Sequence, residues 1–337
     1  MTNYDRINAF TKLGAWMLNL DQETLFKLET IRNRNPWYTK ENILKQFQVL
    51  GQNLTTEKLT SWIQPYIHVN SSKTVGLVLA GNIPLVGFHD VLCTLILGFK
   101  AQIKLSSDDA GLSSIVLNKL LELEPKFEQQ IHLVDKLTNF DLVIATGSNN
   151  TARYFEYYFG KKPHIIRKNR NSVAVITGNE KHDELTHLGA DIFDYFGLGC
   201  RSVSKIFVPK DYEIKNFFEA IENYSPIKDH YKYNNNYDYN KSIYLVNGDK
   251  HFDNGFLLLK NDQNIASPLA VVYYEEYDSL SEVEDFINEN EENIQCVTSQ
   301  SSLNIQRPLF HLGGSQSPAL DDYADGINTL QFLADNQ

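Results

Sequence analysis

From residue 74 onward the chain alternates short β-branched runs with helical stretches, and no other feature restricts its fold as much. TVGLVLAGN (74–82) is an apolar run ending in a glycine turn, and VGFHDVLCTLILGF (86–99) follows as a helix that is apolar on most sides. AQIKLS, IHLVD and LVIAT then read as strands, separated by the helices SSIVLNKLLELEPKF and NNTARYFEYYF. A second alternation runs from SVAVITG (172–178) through KHDELTHLGADIFDYF, SKIFVPK, FLLLK, LAVVYYE and SLSEVEDFINEN to IQCVTS (294–299). Strands that alternate with helices predict an α/β fold with parallel, doubly wound sheets. Residues 1 to about 70 read as a peripheral helical layer, with Trp16, Leu18, Leu20, Leu25 and Leu28 as an intermittent apolar stripe. The segment between about 223 and 242, rich in Asn, Tyr and Lys, shows no periodicity and is expected to be a surface excursion.

A chain of 337 residues exceeds what one core usually organises, so two α/β lobes with a cleft between them are expected. The formal net charge of -11, with acids and bases interspersed, provides no basic surface for a phosphate backbone, which argues against nucleic acid as a partner. The polar start MTNYDRINAF and the short apolar stretch from Val91 to Phe99 predict neither a signal peptide nor a membrane span, and point to the cytoplasm. Three widely spaced cysteines, at 93, 200 and 296, fit neither a disulfide framework nor a Cys-x-x-Cys metal site, and leave room for a reactive thiol.

Four local features could carry chemistry. In FGLGCRSVSKIFVPK, Cys200 follows two glycines at the mouth of a strand, which suits either an accessible sulfur or a small buried side chain. In IATGSNN, Gly147 and Ser148 form a strand-to-helix turn, readable as an anion site at a helix N-terminus or as a plain turn. In AGNIPLVGF, Asn82 could donate its amide to a developing oxyanion or simply shape the turn before Ile83-Pro84. In IKLSSDD, Lys104 ends a strand and could meet ribose or phosphate oxygens, or only water. Cys93 and Cys296 lie in apolar runs and read as core. His182 and His187 miss the one-turn spacing of a zinc-binding helix, no metal is expected, and His311 in RPLFHLGG is the one histidine of interest.

In order and spacing these motifs resemble the Asn-x-Pro, Lys-Pro-Ser-Glu, Thr-Gly-Ser and Gly-x-x-Cys signatures of the aldehyde dehydrogenase superfamily. The match runs from about 74 to 300 and is most similar to the short branch of long-chain acyl-CoA reductases that includes the bioluminescence fatty-acyl reductases. The resemblance implies an aldehyde-dehydrogenase-like fold: a cofactor-binding domain over 1–172, with the N-terminal layer and completed by 305–337, and a catalytic domain over 173–304. It implies that Cys200 attacks an acyl-CoA to form a thioester, with Asn82 and the Cys200 amide as the oxyanion hole. Lys104 and Ser107 would meet the adenosine ribose, Gly147 and Ser148 the pyrophosphate, and Asn264 the nicotinamide ribose in place of the usual Glu of Glu-x-Phe-Gly-Pro. The cofactor expected is NADPH rather than NADH, because Ser107 replaces the carboxylate that would repel a 2′-phosphate, although Asp108 lies next to it. CoA would be the co-product, and a homo-oligomer is expected, as relatives of this fold commonly form dimers or tetramers. Ile166 stands where hydrolytic members carry their general-base Glu. A hydrolytic aldehyde dehydrogenase and an inactive nucleotide-binding protein are the alternative readings.

Overall fold

The computed structural model describes residues 1–337, which divide into two compact units. The first comprises Met1–Asn169, Ala319–Tyr323 and Ile327–Gln337, and the second Arg170–Pro318 and Ala324–Gly326.

The first unit begins with four helices, α1 (Asn3–Leu18), α2 (Gln22–Ile31), α3 (Lys40–Asn53) and α4 (Thr56–Ile63). Each starts where a Thr or Asp side chain, Thr2, Asp21, Thr39 or Thr55, accepts from a first-turn amide that would otherwise lack a partner. Then follow β1 (Thr74–Val78), α5 (Phe88–Ile96), β2 (Lys100–Lys104), α6 (Leu112–Leu123), β3 (Ile131–Leu133), β4 (Leu142–Thr146), α7 (Asn149–Phe159) and β5 (His164–Arg167). The five strands form a parallel sheet in the order β3-β2-β1-β4-β5.

The buried stripe of α1 is Ile7, Phe10, Leu13 and Met17 at helical spacing, whereas Leu18 of the expected stripe is 46% exposed. Gly14 and Gly51 let α1 and α3 cross closely, since a Cβ on Gly14 would lie 2.6 Å from Leu54 Cβ. The N-terminal layer is not peripheral: Phe10, Leu13, Ile43 and Phe47 share one core with Val75, Leu77, Leu95 and Ile103.

The second unit contains β6 (Asn171–Val175), α8 (His182–Phe193), β7 (Val203–Pro209), α9 (Ile214–Ala220), α10 (Tyr231–Asn247), β8 (Phe252–Asp253), β9 (Leu258–Asn261), β10 (Val271–Tyr277), α11 (Leu280–Glu289), β11 (Ile294–Ser299) and β12 (Leu309–Phe310). Its seven strands run β12-β11-β6-β7-β10-β9-β8, parallel except for the β8–β9 pair. The chain then returns to the first unit, where it ends in α12 (Thr329–Asp335).

Two further expectations are corrected. The segment expected as a surface excursion is helical, a 3₁₀ helix over Glu222–Asp229 followed by α10, in which Tyr233, Tyr237, Asn240 and Tyr244 are buried at spacings of three and four residues. Tyrosine can serve in a core when its hydroxyl is satisfied, and Tyr233 donates to the Phe256 carbonyl (3.0 Å) while Tyr237 donates to Asp253 (2.6 Å). The return to the first unit is also shorter than 305–337, because β12 pairs with β11 and the loop behind it is tied to α8. There Asp191 accepts from the amides of Gly313 (2.6 Å) and Ser315 (2.9 Å) and from the Ser315 hydroxyl (2.6 Å). Burial pushes the Asp191 carboxyl up to about 6 against those hydrogen bonds. No helix is long and apolar enough to cross a membrane.

A buried ion pair locks the first unit. Arg167 at the end of β5 donates to Asp90 of α5 (2.5 Å) and to Thr329 of α12 (3.0 Å), with both charged side chains under one-tenth exposed. Asp90→Ala would strand a cation in the interior and is expected to cost about 3–5 kcal/mol. All three tryptophans, at 16, 37 and 62, belong to this unit, so urea unfolding followed by their fluorescence reports the loss. An unchanged urea midpoint would contradict it.

Candidate active site

In the first sheet β1 sits between β2 and β4, with Val78 opposite Lys104 on one side and Ala145 on the other. The chain winds from β1 through β2 to β3 and then crosses back to β4, so the β1/β4 boundary is a topological switch point. Open parallel sheets bind ligands outside the carboxyl ends of their strands at such a point. Lys104 ends β2, and the loops that leave β1, β2 and β4 there carry Asn82, Ser107, and Gly147 with Ser148, so the structure brings these five residues to one edge.

Ser148 caps α7, its hydroxyl accepting from the Thr151 amide at 3.2 Å. The remaining first-turn amides and the helix dipole favour an anion there. Gly147 has a packing reason of its own, since a Cβ would stand 2.9 Å from the Phe155 ring of the same helix. Lys104, Ser107, Asp108 and Asn82 are exposed. Asp109 is buried, and its carboxylate accepts from the Ser113 amide and hydroxyl. Ile166 lies in β5, the edge strand on the far side of β4.

In the second unit Cys200 lies just before the amino end of β7. The turn that leads to it is strained: Tyr195, Phe196 and Gly197 are consecutively left-handed, with φ of 53°, 60° and 76°. Two non-glycine residues held there cost roughly 1–3 kcal/mol each, a kind of strain that concentrates at functional sites. Packing sustains it, for Tyr195 and Phe196 are buried and the Phe196 ring lies 4.2 Å from that of His230, the cap of α10. Behind the cysteine the main chain is held firmly. Ser172 of β6 donates to the Cys200 carbonyl (3.0 Å), Ser202 accepts from the Gly199 amide (3.3 Å), and Gln316 reaches Ser202 (3.4 Å).

The three cysteines differ in environment, and none forms a disulfide. Cys93 and Cys296 are fully buried, and burial pushes the Cys93 thiol well up and that of Cys296 to about 11. Cys200 alone is partly accessible.

Asn264 is exposed in the loop after β9, where its side chain turns back onto Asp262 (2.8 Å). That loop is pinned to the strand that begins at the cysteine motif. Ser204 donates to the Ile265 carbonyl (2.7 Å), and Lys205 donates to the carbonyls of Asp262 and Gln263 (3.0 Å each) and to Glu275 (2.6 Å). Lys205 is fully buried, and its only sequence signal is a lysine inside the apolar run SKIFVP. His311 is exposed, with Nδ1 3.1 Å from Gln300 Oε1, and joins none of these groups.

A family model described as acyl-CoA reductase (LuxC) matches residues 6–223, which include Asn82, Lys104, Ser107, Gly147, Ser148 and Cys200. The chain belongs to the acyl-CoA reductase (LuxC) family. This reductase shares its fold with aldehyde dehydrogenase 21 of Physcomitrella patens, solved in complex with the reaction product succinate. The TM-score is 0.69, with 13% identity over 100% of this chain and 84% of the other. A NAD-dependent benzaldehyde dehydrogenase from Corynebacterium glutamicum matches at TM-score 0.69 and 15% identity, over 93% and 82% of the two chains. At such identities the likeness is one of fold. Comparison with curated protein sequences finds no match. The reductase is an oxidoreductase acting on acyl-CoA, on a scaffold of aldehyde-dehydrogenase type.

Proposed function

We propose that the chain reduces a fatty acyl-CoA to the aldehyde through an acyl group carried on Cys200, with NADPH as reductant. The observation that carries this reading is the contrast among the cysteines: two are sealed in the core, and the third, at the end of a strained turn, is partly accessible. A thiolate is the suitable nucleophile, because acyl transfer from one thioester to another is nearly isoenergetic and splits one difficult step into two. The Cys200 thiolate forms the new C–S bond, the acyl–CoA C–S bond breaks, and CoA leaves as its thiolate, which takes up a proton from solvent. Asn82 donates to the carbonyl oxygen as it becomes an oxyanion. Serine, glutamine and main-chain partners keep the Cys200 backbone in place during transfer.

The residues at the carboxyl edge of the first sheet suit a dinucleotide: an open, capped helix N-terminus for the pyrophosphate, with Lys104 and Ser107 for the adenosine ribose. Bound NADPH would supply the hydride that reduces the acyl thioester, and the Cys200–acyl C–S bond breaks as the aldehyde leaves, which returns the Cys200 thiolate. Asn264 would hold the nicotinamide ribose. Ile166 offers no base to activate water, which keeps the acyl group available for CoA or hydride. We assign the reaction to the cytoplasm.

Oxidation of reduced nicotinamide, followed with acyl-CoAs of graded chain length and each reduced cofactor, tests the assignment. The expected result is acyl-CoA-dependent turnover with a higher kcat/KM for NADPH than for NADH. Absence of turnover with every acyl-CoA would overturn the function, and a clear NADH preference would overturn the cofactor assignment.

A further inference from the structure

We propose that the turn at residues 34–38 of the N-terminal layer positions both site loops of the first unit, Tyr38 setting the Asn82 amide and Asn35 the Ser107 loop. The proposal rests on the oxyanion and cofactor roles assigned above. Tyr38 lies between α2 and α3, and its ring is completely buried. Its hydroxyl lies 2.9 Å from the carbonyl of Gly81 and 2.9 Å from that of Ile83, the two residues that flank Asn82. One donor thus spans the residue whose side chain must point at the oxyanion. Burial pushes the hydroxyl far above its ordinary range, with Asp109 and Asp108 adding to the effect, so it remains a donor.

Three residues earlier, the Asn35 side-chain amide donates to the Asp108 carbonyl at 2.7 Å, next to Ser107. The turn is itself fixed, as the Asn35 side-chain oxygen accepts from the Trp37 amide (3.1 Å) and its carbonyl from the Tyr38 amide (3.0 Å). The two held loops also touch each other. A Cβ on Gly81 would fall 2.8 Å from the Asp109 nitrogen and 2.9 Å from Ser106 Cβ, so only glycine fits there. A turn that merely filled the core would have no need of polar side chains aimed at both loops. Their aim is what the positioning role explains.

The test is a double-mutant cycle with steady-state kinetics. Tyr38→Phe keeps the ring and removes the donor; it is expected to lower kcat about 10-fold with KM for acyl-CoA within about twofold, in keeping with the cost of a small misplacement. In an Asn82→Ala background the same change should have no further effect on kcat, because the group it positions is gone. Asn35→Ala should do the reverse, raising KM for NADPH several-fold at nearly constant kcat. A general loss of structure would move both constants together and multiply through both backgrounds, and that result would overturn the proposal. An Asn82→Ala enzyme with intact kcat would sink the oxyanion reading, and the Tyr38 assignment with it. A full loss in Asn82→Ala joined to an unaffected Tyr38→Phe would sink the positioning role alone.

Discussion

Cys200→Ser is expected to lower acyl-CoA reduction by at least about three orders of magnitude, since a hydroxyl without an adjacent base is a poor nucleophile at neutral pH. The substitution is nearly isosteric, so the hydrogen bonds that hold the Cys200 carbonyl and its neighbours should survive and the protein should fold normally. Cys93→Ser and Cys296→Ser place a hydroxyl in fully buried positions and should cost stability while leaving the chemistry in place. Turnover of purified variants, measured beside their thermal midpoints, separates the two classes. Ordinary turnover in Cys200→Ser would contradict the mechanism.

Asn82→Ala is expected to lower kcat by about 10² to 10³, the usual cost of removing one preorganised oxyanion donor. The turn itself should persist, because the Tyr38 hydroxyl contacts the main chain on either side of residue 82 rather than its side chain. A loss confined to thermal stability would show that Asn82 only shapes the turn.

The parallel α/β architecture was legible because its signal is local. A β-branched run such as LVIAT followed by a capped helix declares itself within about fifteen residues, and the site loops stand directly after such runs. Tertiary partners left no comparable trace. Tyr38 meets carbonyls more than forty residues away, and nothing near it in sequence announces them. Ser172 and Gln316 likewise converge on the Cys200 motif from distant segments. The tyrosine stripe of α10 does carry a helical period at 233, 237, 240 and 244, masked because the same residue types, Tyr231, Asn235 and Tyr239, also occupy exposed positions. β5 (HIIR) has four residues and β12 only two, too few for periodicity to assign either to a sheet.

The most direct test of the central claim is to trap the acyl group. The enzyme is incubated with a fatty acyl-CoA in the absence of reduced cofactor, quenched in acid, digested and examined by mass spectrometry, with released CoA measured in parallel. The account predicts near-stoichiometric acylation of the peptide that contains Cys200, an equal amount of CoA, and loss of the label in Cys200→Ser. Acylation confined to Cys93 or Cys296, or no acylated peptide from an enzyme that still reduces acyl-CoA, would contradict it.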